Sequence, residues 1–215
     1  MPNTPAHDPI AALPEHLHSL ARRGEVRRYR KSTLLIQEGD TGDTIYIILS
    51  GRLRAFGSGD KGREITYGSY GPGEYVGEMS LDGGSRSASL ITLETSECVL
   101  ITRHTLRQHI AENPEFAFEL IAKVIRRARA ATMSAKQLAL NDAYGRLVLL
   151  FNSLAVPLAD GIRTIEERLT QREIANRLGC TREMVNRLMK DLETGGYVTA
   201  RDGQFRLHRA MPTRW

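Results

Sequence analysis

Residues 77–89 read Gly-Glu-Met-Ser-Leu-Asp-Gly-Gly-Ser-Arg-Ser-Ala-Ser. A short glycine-flanked turn exposes backbone N–H groups, and a guanidinium stands beside it. Together they suit one phosphate, held by amide dipoles and an arginine fork. Glu78 can accept hydrogen bonds from a ribose hydroxyl. The bland alternative is a polar surface loop. A second set lies near the other end of the chain. Leu169, Ile174 and Leu178 give apolar points on a short helix over Thr170–Leu178. Gly179 gives a turn, and Thr181 caps a second helix whose Val185, Leu188, Met189 and Leu192 point inward. Arg182, Glu183, Asn186, Arg187 and Lys190 are left on its outer face. This is helix-turn-helix arithmetic, with polar readers on the first turns of the second helix. Arginine offers paired donors to guanine O6 and N7, and glutamate accepts from cytosine N4. Thr170 and Gln171, at the start of the first helix, suit a phosphate of the duplex backbone. The alternative is a solvated helix with a Glu183–Arg187 pair at i,i+4.

Other chemistry finds little support. The six histidines are at 7, 16, 18, 104, 109 and 208, so none falls between Lys31 and Arg103. A jelly-roll metalloenzyme would need a His and carboxylate cluster there. No Ser/His/Asp or Cys/His spacing suggests a nucleophile, so the chain is read as no enzyme, with no catalytic residue and no metal. Cys98 and Cys180 are too few for a disulfide framework, a four-thiolate metal site or an iron–sulfur cluster. They point to a reduced, cytoplasmic protein. Of 215 residues, 41% are hydrophobic and 26% charged, a globular balance. The longest apolar runs are Ile45–Leu49 and Leu147–Phe151, far short of the ~20 residues that span a bilayer. No secretory signal is visible at the start. Thirty basic residues against 25 acidic give +5. Residues 142–215 hold 12 basic and 9 acidic residues, so the excess is denser at the C-terminal end, where a polyanion would be met.

The elements that must position these residues follow from the chain's rhythm. Residues 1–12 are read as frayed, and Pro14 to Arg23 as a short helix. From Glu25 to Arg103, strands rich in Val, Ile, Thr and Tyr alternate with Gly/Asp turns: Glu25–Tyr29, Thr33–Ile36, Thr44–Ile48, Arg52–Phe56, Glu64–Tyr67, Ser87–Leu93 and Glu97–Ile101. That spacing predicts an antiparallel barrel or sandwich. Arg103–Glu112 reads as helix. Asn113 as cap and Pro114 in the first turn then open a helix running to about Leu140. Ala117, Leu120, Val124, Arg127, Ala131, Ser134 and Leu138 follow a 3-4 heptad spacing. Such a helix is too long for one small barrel to cover, which predicts homodimerisation through it. Asn141–Asp142 breaks the pattern as a hinge. Asp142–Ala155 is an apolar-faced helix, a Pro/Asp/Gly loop follows at 157–161, and Tyr197–Ala200 and Gln204–Leu207 form a hairpin that makes the helix-turn-helix winged.

Glu38-Gly39-Asp40, Gly42-Asp43, Tyr46, Ile48 and Gly51 resemble the opening turns of a cyclic-nucleotide-binding jelly roll, and Gly77-Glu78 through Arg86-Ser87-Ala88 its phosphate cassette. With the long helix and Thr170–Tyr197, nearly the whole chain is similar to the CRP/FNR family of bacterial transcription regulators. The resemblance implies an α+β architecture: an antiparallel β jelly-roll effector domain at 1–112, a long dimerisation helix at 113–140 and a winged helix-turn-helix at 141–215. Gly77 and Glu78 would sit by a ribose, and Arg86 and Ser87 would hold a cyclic phosphate. Arg127 matches the long-helix arginine that answers the pocket glutamate, and Thr132 a hydroxyl that reaches the base from the partner subunit. Arg182, Glu183 and Arg187 match the base readers of the family's cyclic AMP-responsive members, implying a palindrome of TGTGA-like half-sites. Cyclic AMP is the first effector implied. Double-stranded DNA, a second copy of the chain, a small-molecule effector and RNA polymerase are the partners implied, with no membrane. Two departures stand out: Ala131 replaces a threonine that contacts adenine, and the cassette is a residue or two short. Cyclic GMP, another effector, or a ligand-independent DNA-binding dimer stay open. Replacing Arg86 with Ala is expected to remove the effector response and leave the fold intact.

Overall fold

The computed structural model describes residues 8–158 and 161–212. The reading of residues 1–7 and part of the 157–161 loop falls outside them. The chain divides into two compact units, one from Met1–Gly57 and Tyr67–Arg129, the other from Ser58–Thr66 and Ala130–Trp215.

Residues 25–102 carry eight strands in two antiparallel sheets. They are β1 (Glu25–Tyr29), β2 (Leu34–Ile36), β3 (Thr44–Ser50), β4 (Leu53–Ser58), β5 (Glu64–Tyr70), β6 (Tyr75–Val76), β7 (Ser89–Thr92) and β8 (Ser96–Thr102). One sheet runs β1-β8-β3-β6 and the other β2-β7-β4-β5, a jelly-roll arrangement. Seven of the eight match the strand pattern of the sequence. The two-residue β6 does not, because so short a run shows no alternation.

The sheets explain the uninterrupted run at Ile45–Leu49. On β3, Ile45, Ile47 and Leu49 join a cluster with Leu17, Leu20, Leu106 and Phe116 from the helices, while Ile48 joins Ile36, Leu53, Val76 and Cys98 between the sheets. A strand covered on both faces loses its polar alternation. The helices here are α1 (Glu15–Ala21), α2 (Arg103–Glu112) and the first turn of α3 (Glu115–Leu140), which carries Phe116. Pro9–Ala12 also forms an ordered 3-10 turn rather than a frayed end, with the Asp8 side chain accepting from the Ile10 amide.

Helix α3 spans Glu115–Leu140, about 39 Å at 1.5 Å per residue. Its start differs from the sequence reading. The Asn113 side-chain amide turns back and donates to the His109 carbonyl at 3.2 Å, so Asn113 closes α2. Part of the heptad read from the sequence is turned toward the helix's own unit. Leu120 packs onto the core of its own unit and Arg127 pairs with Glu78 there. An uncovered stripe lies one position round: Phe118 at 68% exposure, Ile121 at 53% and Ile125 at 45%, continued by exposed Ala128, Thr132 and Ala135, while Val124 and Leu138 of the sequence heptad are exposed as well. A 26-residue helix with apolar residues on two faces fits two offset heptads, and composition alone does not choose between them.

The second unit holds α4 (Ala143–Leu154), α5 (Gln171–Leu178), α6 (Arg182–Thr194) and the sheet β11-β12-β10-β9, with β9 at Ala155–Pro157, β10 at Arg163–Ile165, β11 at Val198–Arg201 and β12 at Gln204–Leu207. Leu147 and Phe151 of α4, Ile174 of α5, and Val185 and Leu192 of α6 are fully buried together with Ile165. Each such side chain contributes about 1.5–3 kcal/mol. β9 and β10 have no counterpart in the sequence reading. They are three residues each, and Pro157 sits where an edge strand tolerates it. Asp202 and Gly203 both take positive φ, the tight-turn geometry expected between β11 and β12. Between α3 and α4 lie only Asn141 and Asp142. The Asp142 carboxylate accepts from the Gly145 amide at 2.7 Å. Arg146 donates from Nη1 to the Asn141 carbonyl at 2.6 Å and from Nε to the Leu178 carbonyl at 2.9 Å.

Candidate functional site

The cassette begins where β6 ends. Gly77 has a φ of +97°, and a Cβ there would lie 2.7 Å from the Thr44 carbonyl, so both backbone and space require glycine. The turn drives Glu78 inward, with its side chain fully shielded from solvent. One carboxylate oxygen, Oε1, accepts from Arg127 Nη1. The other, Oε2, is buried and has no hydrogen-bond partner. Arg127 reaches Glu78 from α3, donates from Nη2 to the Tyr75 carbonyl at 3.0 Å, and lies 4.6 Å from the centroid of the Tyr70 ring. The pair expected from the family resemblance is therefore formed within one chain. Burial pushes the Tyr75 hydroxyl up to about 12, with the Glu78 charge adding to the rise.

Arg86 is buried, and its guanidinium is tied to the chain itself. Nη1 donates to the Gly77 carbonyl at 2.9 Å and to Ser80 Oγ at 2.8 Å, and Nη2 donates to the Thr44 carbonyl at 2.9 Å. Burial lowers its pKa from the usual value. Its peptide is bound too: the Arg86 amide donates to Asp40, and its carbonyl accepts from Gly39. Asp82 sits inside the loop, its carboxylate accepting from the Gly84 amide at 2.9 Å. Ser87 is exposed beside Arg86, and Thr132 is exposed on α3. Gly77, Glu78, Arg86 and Arg127 thus converge, and Ser87 borders them. Sequence reasoning missed Thr44, Tyr70, Tyr75, Ser80 and Lys123. Lys123 Nζ lies 3.5 Å from the Tyr75 ring centroid. Their spacing carries no motif, and only the sheet brings them together.

In the second unit, Gly179 closes α5 with a φ of +65°, and Thr181 opens α6 by accepting from the Met184 amide at 3.2 Å. Arg182, Glu183, Asn186, Arg187 and Lys190 are all exposed on α6, over the buried Val185, Leu188 and Met189. Steps of one, three and four residues place them on one face. Among the described residues Arg182 and Glu183 have no side-chain partner. Arg187 Nη2 lies 3.0 Å from the Met184 sulfur. The Glu183–Arg187 pair considered from sequence does not form.

Thr170 and Gln171 have internal work. The Thr170 hydroxyl accepts from the Glu173 amide at 3.2 Å, and the Glu173 carboxylate accepts from the Thr170 amide at 2.7 Å, completing a capping box. Gln171 Nε2 donates to Asn186 Oδ1 at 3.1 Å, fixing α5 against α6. A cavity of about 470 Å³ opens beside them, rimmed by Arg168, Gln171 and Arg201 above buried Met189 and Phe205. Arg168 and Arg201 were not singled out from sequence, because isolated arginines in a chain with 30 basic residues carry no signal. Among the described residues no group of His, Cys, Asp and Glu could hold a metal ion, and no helix is long and apolar enough to cross a membrane.

Residues 26–113 match the family described as cyclic nucleotide-binding domain, and residues 145–210 that described as Crp-like helix-turn-helix domain. The chain is 30% identical to the CRP-like cAMP-activated global transcriptional regulator of Mycobacterium tuberculosis, over 86% of this chain and 84% of that protein. It is 31% identical to the cyclic AMP receptor protein of Thermus thermophilus, again over 86% and 84%. Among solved structures, the c-di-GMP responsive global regulator CLP of Xanthomonas campestris superposes with a TM-score of 0.80. That match is 26% identical and covers 90% of this chain and 98% of that one.

Proposed function

Because this chain belongs to the CRP/FNR family of transcription regulators, with a cyclic nucleotide-binding domain and a DNA-binding helix-turn-helix, we propose that it is a homodimer that reads a palindromic TGTGA-like site under the control of a cyclic nucleotide. Residues 1–112 take the effector, 113–140 pair the two copies and 141–215 read DNA. Its relatives are transcription regulators, a class that performs no catalysis. The observation that carries the effector reading is Glu78 Oε2, a buried acceptor without a partner beside an arginine that already neutralises the carboxylate. A buried acceptor left unsatisfied costs about 1–3 kcal/mol, and a ribose 2′-hydroxyl would satisfy it. Gly77 and Glu78 face the ribose. Arg86 and Ser87 meet the phosphate. Arg127 ties the site to α3, and Thr132 of the partner subunit closes on the base. Cyclic AMP is the first candidate, since two of the named relatives are called after it; cyclic GMP and cyclic di-GMP are the comparisons to run.

Dimerisation rests on the Phe118, Ile121 and Ile125 stripe, whose 3-4 spacing continues to Ala135 and suits a second copy of the same helix. A ligand that touches the cassette and α3 favours one helix arrangement and shifts its population. The two α6 helices then enter major grooves about one helical turn, ~34 Å, apart. Thr170 and Gln171 set the first helix on the backbone, and Arg182, Glu183 and Arg187 read base edges. At a promoter the dimer recruits or blocks RNA polymerase.

Calorimetric titration of the full chain with each cyclic nucleotide, followed by anisotropy on a palindromic duplex, tests this reading. Glu78→Gln keeps the shape and removes the charge that holds Arg127, and should weaken nucleotide binding about 10–100-fold, the range for one hydrogen-bonded charge. Unchanged binding removes Glu78 from the site. Arg182→Ala should cost ~1–3 kcal/mol at one base position and relax discrimination there. An equal loss on every sequence would make it a phosphate contact instead.

A second reading has its own observation. Three Arg86 donors and the Gly84 amide are already bonded within the chain, two of those contacts being to Ser80 and Asp82 side chains. A cassette so satisfied favours a dimer that binds DNA without an effector. No heat with any nucleotide, together with full DNA affinity, selects this reading.

A further inference from the structure

We propose that Lys123 is an acylation site whose ε-amine takes an acyl group from an acyl-phosphate donor. Lys123 sits on the face of α3 opposite the Ile121 and Ile125 stripe, half-buried, with Nζ over the Tyr75 ring. Among the described residues it forms no hydrogen bond and no ion pair. Arg126 and Arg127 stand one turn further along the same helix, and both charges disfavour the ammonium. From the barrel side the facing groups are Tyr75, Glu78 and Glu74; both carboxylate charges favour the ammonium, but burial and Arg127 outweigh them. The Glu74 carboxylate accepts from the Gly71 amide, and Glu78 is held by Arg127, so neither acid pairs with the lysine.

An amine that is desolvated and crowded by guanidiniums without a carboxylate partner is the environment that favours neutral, nucleophilic lysine. Burial, then Arg127, lowers the Lys123 pKa to about 8. At pH 7.5 roughly a quarter of the amine is then neutral, against about one part in a thousand for an ordinary lysine. A weaker base attacks more slowly, which leaves a net advantage of roughly tenfold. In the reaction the Nζ lone pair adds to the acyl carbon, the carbon–oxygen bond to phosphate breaks, and inorganic phosphate leaves. The nitrogen releases one proton to water. The amide formed is uncharged, so Tyr75 loses its cation and Arg127 a like charge one turn away.

The test is low-conversion labelling of the full chain with acetyl phosphate, read by peptide mass spectrometry. Exposed Lys31, Lys136 and Lys190 serve as internal standards. At pH 7.5 Lys123 should acquire label about ten times faster than they do, and its rate should level off above pH 8. Lys123→Arg should remove that labelled peptide and leave the others. Labelling of Lys123 no faster than the standards, or a rate still climbing at pH 10, overturns the proposal.

Discussion

Ile125→Glu should dissociate the proposed dimer, sedimenting as a monomer at concentrations where the parent chain is expected to pair. The residue is 45% exposed on α3 between Ile121 and Ala128, and the substitution acts twice across a twofold axis. Each copy loses the burial of an isoleucine, about 1.5–3 kcal/mol, so the pair loses roughly 3–6 kcal/mol and association weakens about 10²–10⁴-fold. Opposed carboxylates add to that loss. Affinity for a palindromic duplex should fall with it, since each reading head must then bind its half-site alone. Leu120→Ala separates the two registers of the helix. Leu120 packs onto the core of its own unit, so its loss should lower the unfolding midpoint and leave the dimer constant near the parent value. The opposite pattern, a stable monomer from Leu120→Ala and an intact dimer from Ile125→Glu, would restore the seam through Leu120, Val124 and Arg127.

Arg86→Ala should destabilise the jelly roll by about 3–5 kcal/mol in urea unfolding followed by circular dichroism. Bonds from a charged donor are worth about 1.5–3 kcal/mol each, less than additively, and this guanidinium makes three. It joins the ends of β3 and β6 and the Ser80 turn, so its loss frees three segments at once. A domain holds only about 5–15 kcal/mol in all. The expectation from sequence, a silent effector site on an intact fold, is therefore revised. Arg86→Lys should recover part of the stability, because an ammonium keeps the charge without the fork. A loss under 1 kcal/mol for Arg86→Ala would mean that these carbonyls find water instead.

The parts legible in the sequence are those with a period or a punctuating residue. β1, β3 and β8 announce themselves by branched residues between glycine turns, and α6 by its cap and its 3-4 apolar spacing. The exposed face of Arg182, Glu183, Asn186, Arg187 and Lys190 follows from that spacing alone, and only the family resemblance singles out Arg182, Glu183 and Arg187 within it. Glu78 and Arg127, 49 residues apart, show no local signal; only the resemblance to a known family pairs them. Which apolar residues α3 lays on its own barrel was not legible, because Leu120 and Ile121 are equally apolar and only the barrel decides which of them it covers. Arg86 reads as a free anion ligand until the carbonyls of Gly77 and Thr44 are placed beside it. β9 and β10 are too short for alternation to show.

Arg146 gives the region between α3 and the reading head its mechanical character. One guanidinium grips the carbonyl of Asn141, just past the end of α3, and the carbonyl of Leu178, at the end of α5. Both carbonyls lie in the same compact unit, so a planar, rigid guanidinium splints the residue after α3 to the end of α5. It acts as a key in a slot: two bonds from one α4 side chain fix the angular setting of the α5 end against the two-residue link after α3.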